Sequence, residues 1–431
     1  MTTATLTPRA QQPLRQPPFL IWLGFLGILL VWGLISGIMV FGQGLGVTGL
    51  TDQVPWGLWI ALDLSAISLG AGAFIFSAIV YLLKIERFQV FARAAVLVGF
   101  LGYTSAMLAL ALDIGRPDRF YFPVIYPNVH SVLWEITMCV IFYFAVLAAE
   151  LAPVVLGSQF FSRWPQAKQI GHTIHRFTPI LAVFGLGLSL LHQSSLGATY
   201  GVVAARPLWF KPSLPVMFIL SAVAGGTAAT ILGSLIVSRL RGKYVVDRKV
   251  ISQAAIIGGS SLALYLYIKI WDWATTQYYA GTAAVEEGIS LLQATTPYGF
   301  TYWTFEVLLG GLIPLIIFFW ARSRKDDFAL MLGCLLTIVG VVFLRWNVTV
   351  SGLIVPLDWS PGEAFLFARN FYAPTLPELG AFFGIIAYAL AGFTLAVTFL
   401  PIYEEDHSDH HDDADHAPVE VVRPPAEPAT G

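Results

Sequence analysis

The chain is 431 residues long, 57% hydrophobic and 12% charged, with a formal net charge of −2 and a mean hydropathy of +0.72. That balance excludes a soluble globular protein of this size and points to a polytopic membrane protein in contact with lipid; nothing in it marks a nucleic-acid binder. The two cysteines, Cys139 and Cys334, lie in separate apolar runs, too few for an iron–sulfur cluster held by this protein alone, which needs about four thiolates, and they give no disulfide framework.

In chain order, residues 1–18 are polar and contain Pro13, Pro17 and Pro18. They lack a short apolar core with a small-residue cleavage site, so they read as an arm and not as a cleaved signal. Ten runs are then long and apolar enough to cross a bilayer: roughly 19–41, 56–83, 92–113, 131–152, 177–198, 214–238, 251–271, 301–321, 328–346 and 377–402. Small residues recur at helix-packing spacing, as at Gly225, Ala229 and Gly233, and no segment has the alternation of a barrel strand. Of the 24 Lys and Arg, 17 fall on the side that holds both termini and six on the other: Arg116, Arg119, Arg206, Lys211, Arg345 and Arg369. By the positive-inside rule both termini are expected in the cytoplasm. The outer loops at 272–300 and 347–376 are long and rich in Trp, Tyr and Pro, as loops that contact partners are. From Glu404 the tail is acidic and His-rich, then Pro-rich, and is expected to be disordered. His407, His410, His411 and His416 among its Asp residues suit a solvated charge run, or weak binding of a divalent metal.

Spans two to five carry ionisable residues that helix direction brings to one level. A carboxylate inside a membrane helix costs about 2.5–3.5 kcal/mol on insertion scales, so five such groups together look like a site for protons or a polar headgroup. Span two runs inward from Trp56 and places Asp63 about 10 Å deep. Trp59 and Ile67 flank it at i−4 and i+4 and cannot neutralise it, so its partner must come largely from another helix. Span three ends at Asp113. Span four starts at His130 and carries Glu135 about 7 Å further in. Span five runs back outward and bears His192, with Ser189 and Ser195 a turn away on either side. Antiparallel neighbours with short loops pack as an up-down bundle, so the five groups are expected to meet in its outer half. Each also has a structural reading: Asp113 and His130 lie near the interface, where polar residues are cheap, and Asp63 need only bond a neighbouring helix. Glu150, toward the cytoplasmic end of span four, either caps the membrane edge or passes protons. A further polar pair, Glu306 and Arg345, is the next candidate.

Carboxylate plus imidazole exchanges protons near neutral pH. A quinone headgroup, with two carbonyls that become hydroxyls on reduction, needs such partners, ring contacts and an apolar path for its tail. No phosphate-cradling loop and no nucleophile–base–orienter set is present. A secondary transporter also uses polar residues inside helices, but the cluster lies toward one face and no inverted repeat is evident. A b-type cytochrome wants His pairs on facing helices, and only His130 and His192 approach that depth.

Several short motifs together resemble the NrfD/polysulfide reductase membrane-subunit family, in particular its ten-helix, HybB-like branch. They are Trp56-Gly57-Leu58-Trp59-Ile60, Gly70-Ala71-Gly72-Ala73, Asp113-Ile114-Gly115-Arg116-Pro117, His130-Ser131 with Glu135, and Tyr372-Ala373-Pro374-Thr375 before Glu378. The resemblance covers roughly residues 19–402. It implies an all-α polytopic membrane protein with ten transmembrane helices, in two four-helix bundles plus flanking helices. The expected layout is a cytoplasmic arm (1–18), a first helix and outer loop (19–55), a first bundle with a quinone site (56–198), a second bundle (199–346), an outer loop and last helix (347–402) and the tail (403–431). The resemblance further implies a subunit that reacts with menaquinone or ubiquinone and holds neither haem nor an iron–sulfur cluster. It would dock a four-cluster ferredoxin-like iron–sulfur subunit on its outer face, and through it a catalytic subunit such as a hydrogenase, a molybdenum enzyme or a multihaem cytochrome. The quinone site falls on Trp59, Asp63, Asp113, His130, Glu135 and His192, with Asp63, Glu135 and His192 as its proton-exchanging members.

Overall fold

A computed structural model describes residues 17–82, 86–278, 283–293, 295–355 and 369–403. Most of the N-terminal arm and the acidic tail from Glu404, with its four histidines, lie outside the described residues, as do parts of the two long loops. Among the described residues there are helices and no strands, and ten helices are long and apolar enough to cross a membrane. This is the architecture a bilayer imposes on a helical protein, because each backbone polar group must be satisfied within its own segment.

The ten are α1 (Pro17–Gln43), α2 (Leu58–Leu82), α3 (Ala92–Asp113), α4 (Val132–Leu156), α5 (Thr178–Gly201), α6 (Leu214–Arg241), α7 (Arg248–Tyr278), α8 (Pro297–Phe319), α9 (Asp327–Ile354) and α10 (Leu376–Phe399). Several ends carry their chemistry in the sequence. The Ser131 hydroxyl caps α4 by accepting from Trp134 N. Prolines occupy the first turns of α5, α6, α8 and α10, where their missing N–H is not needed. Gly242 ends α6 with φ of 66°, a left-handed conformation that glycine adopts at no cost.

Helices α2, α3, α4 and α5 pack in a ring, and α6, α7, α8 and α9 in a second. The rings meet along α2 and α6, while α1 and α10 pack on each other and on α3. Glycines permit the closest approaches. A Cβ on Gly72 would sit 1.7 Å from the Ala222 carbonyl oxygen, and one on Gly226 would sit 2.0 Å from the Ala73 nitrogen. Helix α2 is the most enclosed of the ten and α1 the least, so the central helix is the one that carries Asp63.

The ends of α7 and α9 depart from the sequence reading, and two short helices are additional to it. Helix α9 does not stop at 346 but continues through π-helical turns at Asn347–Ser351 to Ile354, because Val350, Leu353 and Ile354 are buried against the core. Helix α7 runs on to Tyr278, and Ala283–Leu291 forms a further helix in what reads as loop. Arg345, counted with the loop charges, is fully buried in α9. The helix Pro165–Arg176 between α4 and α5 has no counterpart among the expected spans; it is amphipathic and too polar to cross a membrane. The loops at 44–57, 114–131, 202–213 and 369–375 share one face of the molecule, here called the loop-rich face, which helix direction sets opposite the 157–177 and 242–247 connections.

Candidate functional site

Helices α4 and α5 run antiparallel, so residues near the end of one meet residues near the start of the other. Ser195 Oγ donates to Glu135 Oε1 at 2.7 Å, and further in Ser189 Oγ donates to the Tyr143 hydroxyl at 3.0 Å. Between these contacts lies His192, fully buried. Its Nδ1 is 2.7 Å from the Tyr103 hydroxyl on α3. Tyr103 in turn packs edge-on against Tyr143, with ring centroids 4.5 Å apart. The other ring nitrogen of His192, Nε2, is buried and has no partner. A buried polar atom of this kind costs about 1–3 kcal/mol unless something fills its hydrogen bond. With Nδ1 held, Nε2 is the imidazole's one free position.

Asp63 is also buried, but no hydrogen bond or ion pair among the described residues joins it to Glu135 or His192. It lies within electrostatic reach of Asp113 and of Tyr103, and Asp113 within reach of Glu378. Asp113 Oδ1 is itself buried without a partner. The expected cluster is thus two adjoining groups: the Asp63–Asp113 carboxylates on α2 and α3, and the His192–Tyr103–Tyr143 and Glu135–Ser195 contacts on α3 to α5. Tyr103 bonds to His192 and lies within electrostatic reach of Asp63. Over Asp63 toward the loop-rich face sits an aromatic cluster of Trp56, Tyr200 and Trp209, with ring centroids 4.9–5.7 Å apart.

Two of the anticipated residues, His130 and Trp59, are placed differently, while Glu150 lies where the sequence reading put it. His130 is exposed in the loop before α4, where its backbone N–H donates to Asn128 Oδ1; the structure does not bring its imidazole to the other four. Trp59 is buried but turns to α1, α3 and α10, and its Nε1 donates to the Glu378 carbonyl oxygen at 3.1 Å. That is a packing contact, and no observation puts it against a headgroup. Glu150 lies in the opposite half of α4, its Oε1 buried without a partner. It is two turns below Tyr143 on one face of the helix.

Residues that the sequence did not single out complete the region. Tyr103 and Tyr143 read as ordinary aromatic core. Ser68 lies among apolar neighbours and Gln193 in a polar His-Gln-Ser-Ser run, and only the fold shows that both meet Arg345, whose Nη2 lies 2.7 Å from Ser68 Oγ and 3.4 Å from Gln193 Oε1.

The family model for polysulphide reductase, NrfD, matches residues 46–356. The protein belongs to the NrfD family. It is 32% identical over 412 residues to the protein named menaquinone reductase, integral membrane subunit, of Nitratidesulfovibrio vulgaris, covering 94% of this sequence and 96% of that one. It is 29% identical over 394 residues to the Escherichia coli protein named as a probable Ni/Fe-hydrogenase 2 b-type cytochrome subunit, covering 88% and 91%. It is 26% identical over 377 residues to the Hdr-like menaquinol oxidoreductase integral membrane subunit of Archaeoglobus fulgidus, covering 85% and 89%.

The name of the Escherichia coli relative raises haem, and the residues of this NrfD-family member can be tested for it. Axial ligation across a bundle takes two residues such as His on facing helices. Among the described residues His192 is buried with Nδ1 engaged by Tyr103, while His130, His172 and His175 are exposed. Both cysteines are buried singly, and among the described residues no group of three or more His, Cys, Asp or Glu could hold a metal. The described residues do not fit a bis-histidine haem.

Proposed function

We propose that this protein is the quinone-reactive membrane subunit of a respiratory redox complex. Its headgroup site is formed by His192, Asp63 and Glu135, on the loop-rich side of α2 to α5. The observation that carries the reading is the unpartnered, fully buried Nε2 of His192. Asp63 and Glu135 on the neighbouring helices α2 and α4 supply acceptors, and the relatives named for menaquinone and menaquinol supply the substrate class. The quinone brings the two-electron, two-proton chemistry. His192 Nε2 accepts or returns one proton at a headgroup oxygen, with Tyr103 fixing the ring and its tautomer. Asp63, central and enclosed, holds or releases the second. Glu135, tied to Ser195, hydrogen-bonds from α4 and passes protons toward the loop-rich face. Trp56, Tyr200 and Trp209 contact the ring and exclude water.

In this reading the loop-rich face is the outer face and both termini are cytoplasmic, in a prokaryotic inner membrane; the excess of Lys and Arg on the side of the termini supports the orientation. The face docks a four-cluster ferredoxin-like iron–sulfur subunit that leads to the catalytic subunit. Phe120, Tyr126 and Val129 there are 70%, 68% and 71% exposed, an apolar patch of the kind that marks an interface. Arg116 and Arg119 border it, in ion pairs with Asp118. The test is crosslinking in the purified complex. Photo-reactive residues at Phe120 and Val129 should capture an iron–sulfur subunit, and one at Gly242 should not. Crosslinks confined to Gly242 would place the partner on the other face and overturn the assignment.

The subunit purified by itself should show no Soret band. Stoichiometric iron with a Soret absorbance that disappears in His192→Ala would replace the quinone reading with a cytochrome.

A further inference from the structure

A buried polar layer leaves the His192 region sideways. Gln193, next in sequence and fully buried, has Oε1 3.4 Å from both Ser68 Oγ and Arg345 Nη2. Arg345 donates from Nε and Nη2 to Ser68 Oγ at 2.9 and 2.7 Å, and from Nη2 to Ser221 Oγ at 3.2 Å. Its guanidinium also lies 3.5 Å from the Phe218 ring centroid. No carboxylate pairs with it among the described residues. Two donors of this group, Arg345 Nη1 and Gln193 Nε2, are buried without partners. An intramembrane cation with no counter-ion is costly, and such residues face interior polar paths.

Ser221 opens on a cavity of about 10 Å³ shared with Tyr265, Glu306 and Thr337, close to the space one water needs. Glu306 is fully buried: Oε1 accepts from Tyr265 and from Lys269, and Oε2 accepts from Asn347 Nδ2 at 2.6 Å. Lys269 and Asn347 line a second cavity, of about 30 Å³, together with Lys211 and Asp272. Lys211 pairs with Asp272 at 2.7 Å, and Ser213 donates to the same carboxylate at 2.9 Å. Lys211 and Ser213 belong to the 202–213 segment of the loop-rich face.

His192, Glu306 and Arg345 each lie nine residues from the loop-rich end of their helix, about 13 Å deep. The layer is therefore level with the headgroup site. The helices of Glu306 and Arg345 are locally π-helical, at Thr301–Leu312 around Glu306 and at Asn347–Ser351 just past Arg345, a distortion frequent at functional sites.

We propose that this layer is a proton-exchange branch. It connects the His192 site through Arg345, Glu306 and Lys269 to the loop-rich face beside Asp272, with Glu306 as the carrier and water in the two cavities. The proposal rests on the headgroup assignment above. Only protons move along the branch: Glu306 takes one from water on one side and gives one to water on the other, and Lys269 and Asn347 hold the carboxylate in either state.

The experiment uses the assembled complex. Glu306→Gln keeps the shape and most hydrogen bonds but cannot carry a proton. It should lower quinone-linked turnover by about 10²-fold, leave the KM for quinol unchanged, and raise the solvent deuterium isotope effect as proton transfer becomes limiting. Glu306→Asp should recover part of the rate. Reduction of an artificial dye at the partner's redox centres should not change. Thr337→Leu, which fills the smaller cavity without touching an ionisable group, should also slow turnover and raise the isotope effect. Wild-type quinone rates in Glu306→Gln and Thr337→Leu overturn the branch, and so does a loss without a rise in the isotope effect, because that is what a structural bond would give. His192→Gln separates the two readings: wild-type quinone turnover in that variant removes the headgroup site itself, whatever Glu306→Gln does.

Discussion

Replacing His192 by alanine, or Asp63 by asparagine, should abolish quinone-linked turnover of the assembled complex while an artificial dye still reacts at the partner's own centres. General acid–base groups contribute roughly 10²–10⁴-fold, and His192 is fully buried with one free ring nitrogen, which the alanine variant removes. The alanine variant also leaves the Tyr103 hydroxyl without the bond it makes at 2.7 Å, at a cost of about 1–3 kcal/mol. Asp63→Asn has no such cost, since it keeps the shape and removes only the exchangeable charge. Loss of quinone turnover in both, with the complex intact on size-exclusion chromatography, is the expected result. Wild-type rates in both would move the headgroup to the Glu306–Arg345 region.

The spans were legible because a bilayer leaves so few solutions: a run of about 20 apolar residues must be a helix. What failed was local. The ends of α7 and α9 were missed because their last turns mix Trp, Thr, Asn and Ser with apolar residues, and such turns read as loop until the partner helices that bury them are known. The carboxylates and His192 stood out against apolar surroundings, and burial of Asp63 and His192 was foreseeable from position alone. Pairing was not. That Ser195 meets Glu135 and Ser189 meets Tyr143 depends on the rotation of α4 against α5, which hydropathy does not encode. His130 was drawn into the cluster by its nearness in sequence to Glu135, but it precedes the cap at Ser131 and so belongs to the loop. Trp59 illustrates the converse. One turn from Asp63 on the same helix, it reads as a ring contact, yet its indole is taken by α10.

Thr375 and Glu378, three residues apart in the sequence, form the capping box of α10, and Glu378 reaches beyond it. Glu378 is 1% exposed. Its Oε2 accepts from Thr375 N at 2.9 Å and from Gly49 N, in the α1–α2 connection, at 2.7 Å. Its Oε1 accepts from the Tyr372 hydroxyl at 2.6 Å, and that hydroxyl accepts from Leu58 N at the start of α2 at 2.8 Å. One carboxylate thus ties the starts of α2 and α10 to the end of α1. Burial, and then the Glu378 carboxylate beside it, push the Tyr372 hydroxyl above its ordinary pKa, so it stays protonated and remains a donor through neutral pH. Glu378→Ala strands the Tyr372 hydroxyl and the Gly49 N–H together, at about 1–3 kcal/mol for each, and removes the half of the capping box that satisfies the Thr375 N–H. The sum is a large part of the stability of an ordinary domain. The expected result is a sharp loss of assembled complex and a thermal transition well below that of the wild type. Glu378→Gln keeps one acceptor oxygen for Gly49 N and Thr375 N but turns an N–H toward the Tyr372 hydroxyl, so it should fall between the alanine variant and the wild type. If Glu378→Ala assembles and melts like the wild type, the junction is not held by this carboxylate, and the α1–α10 glycine contact at Gly33 and Gly384, where an added Cβ would meet backbone at 2.6 and 2.5 Å, must carry it.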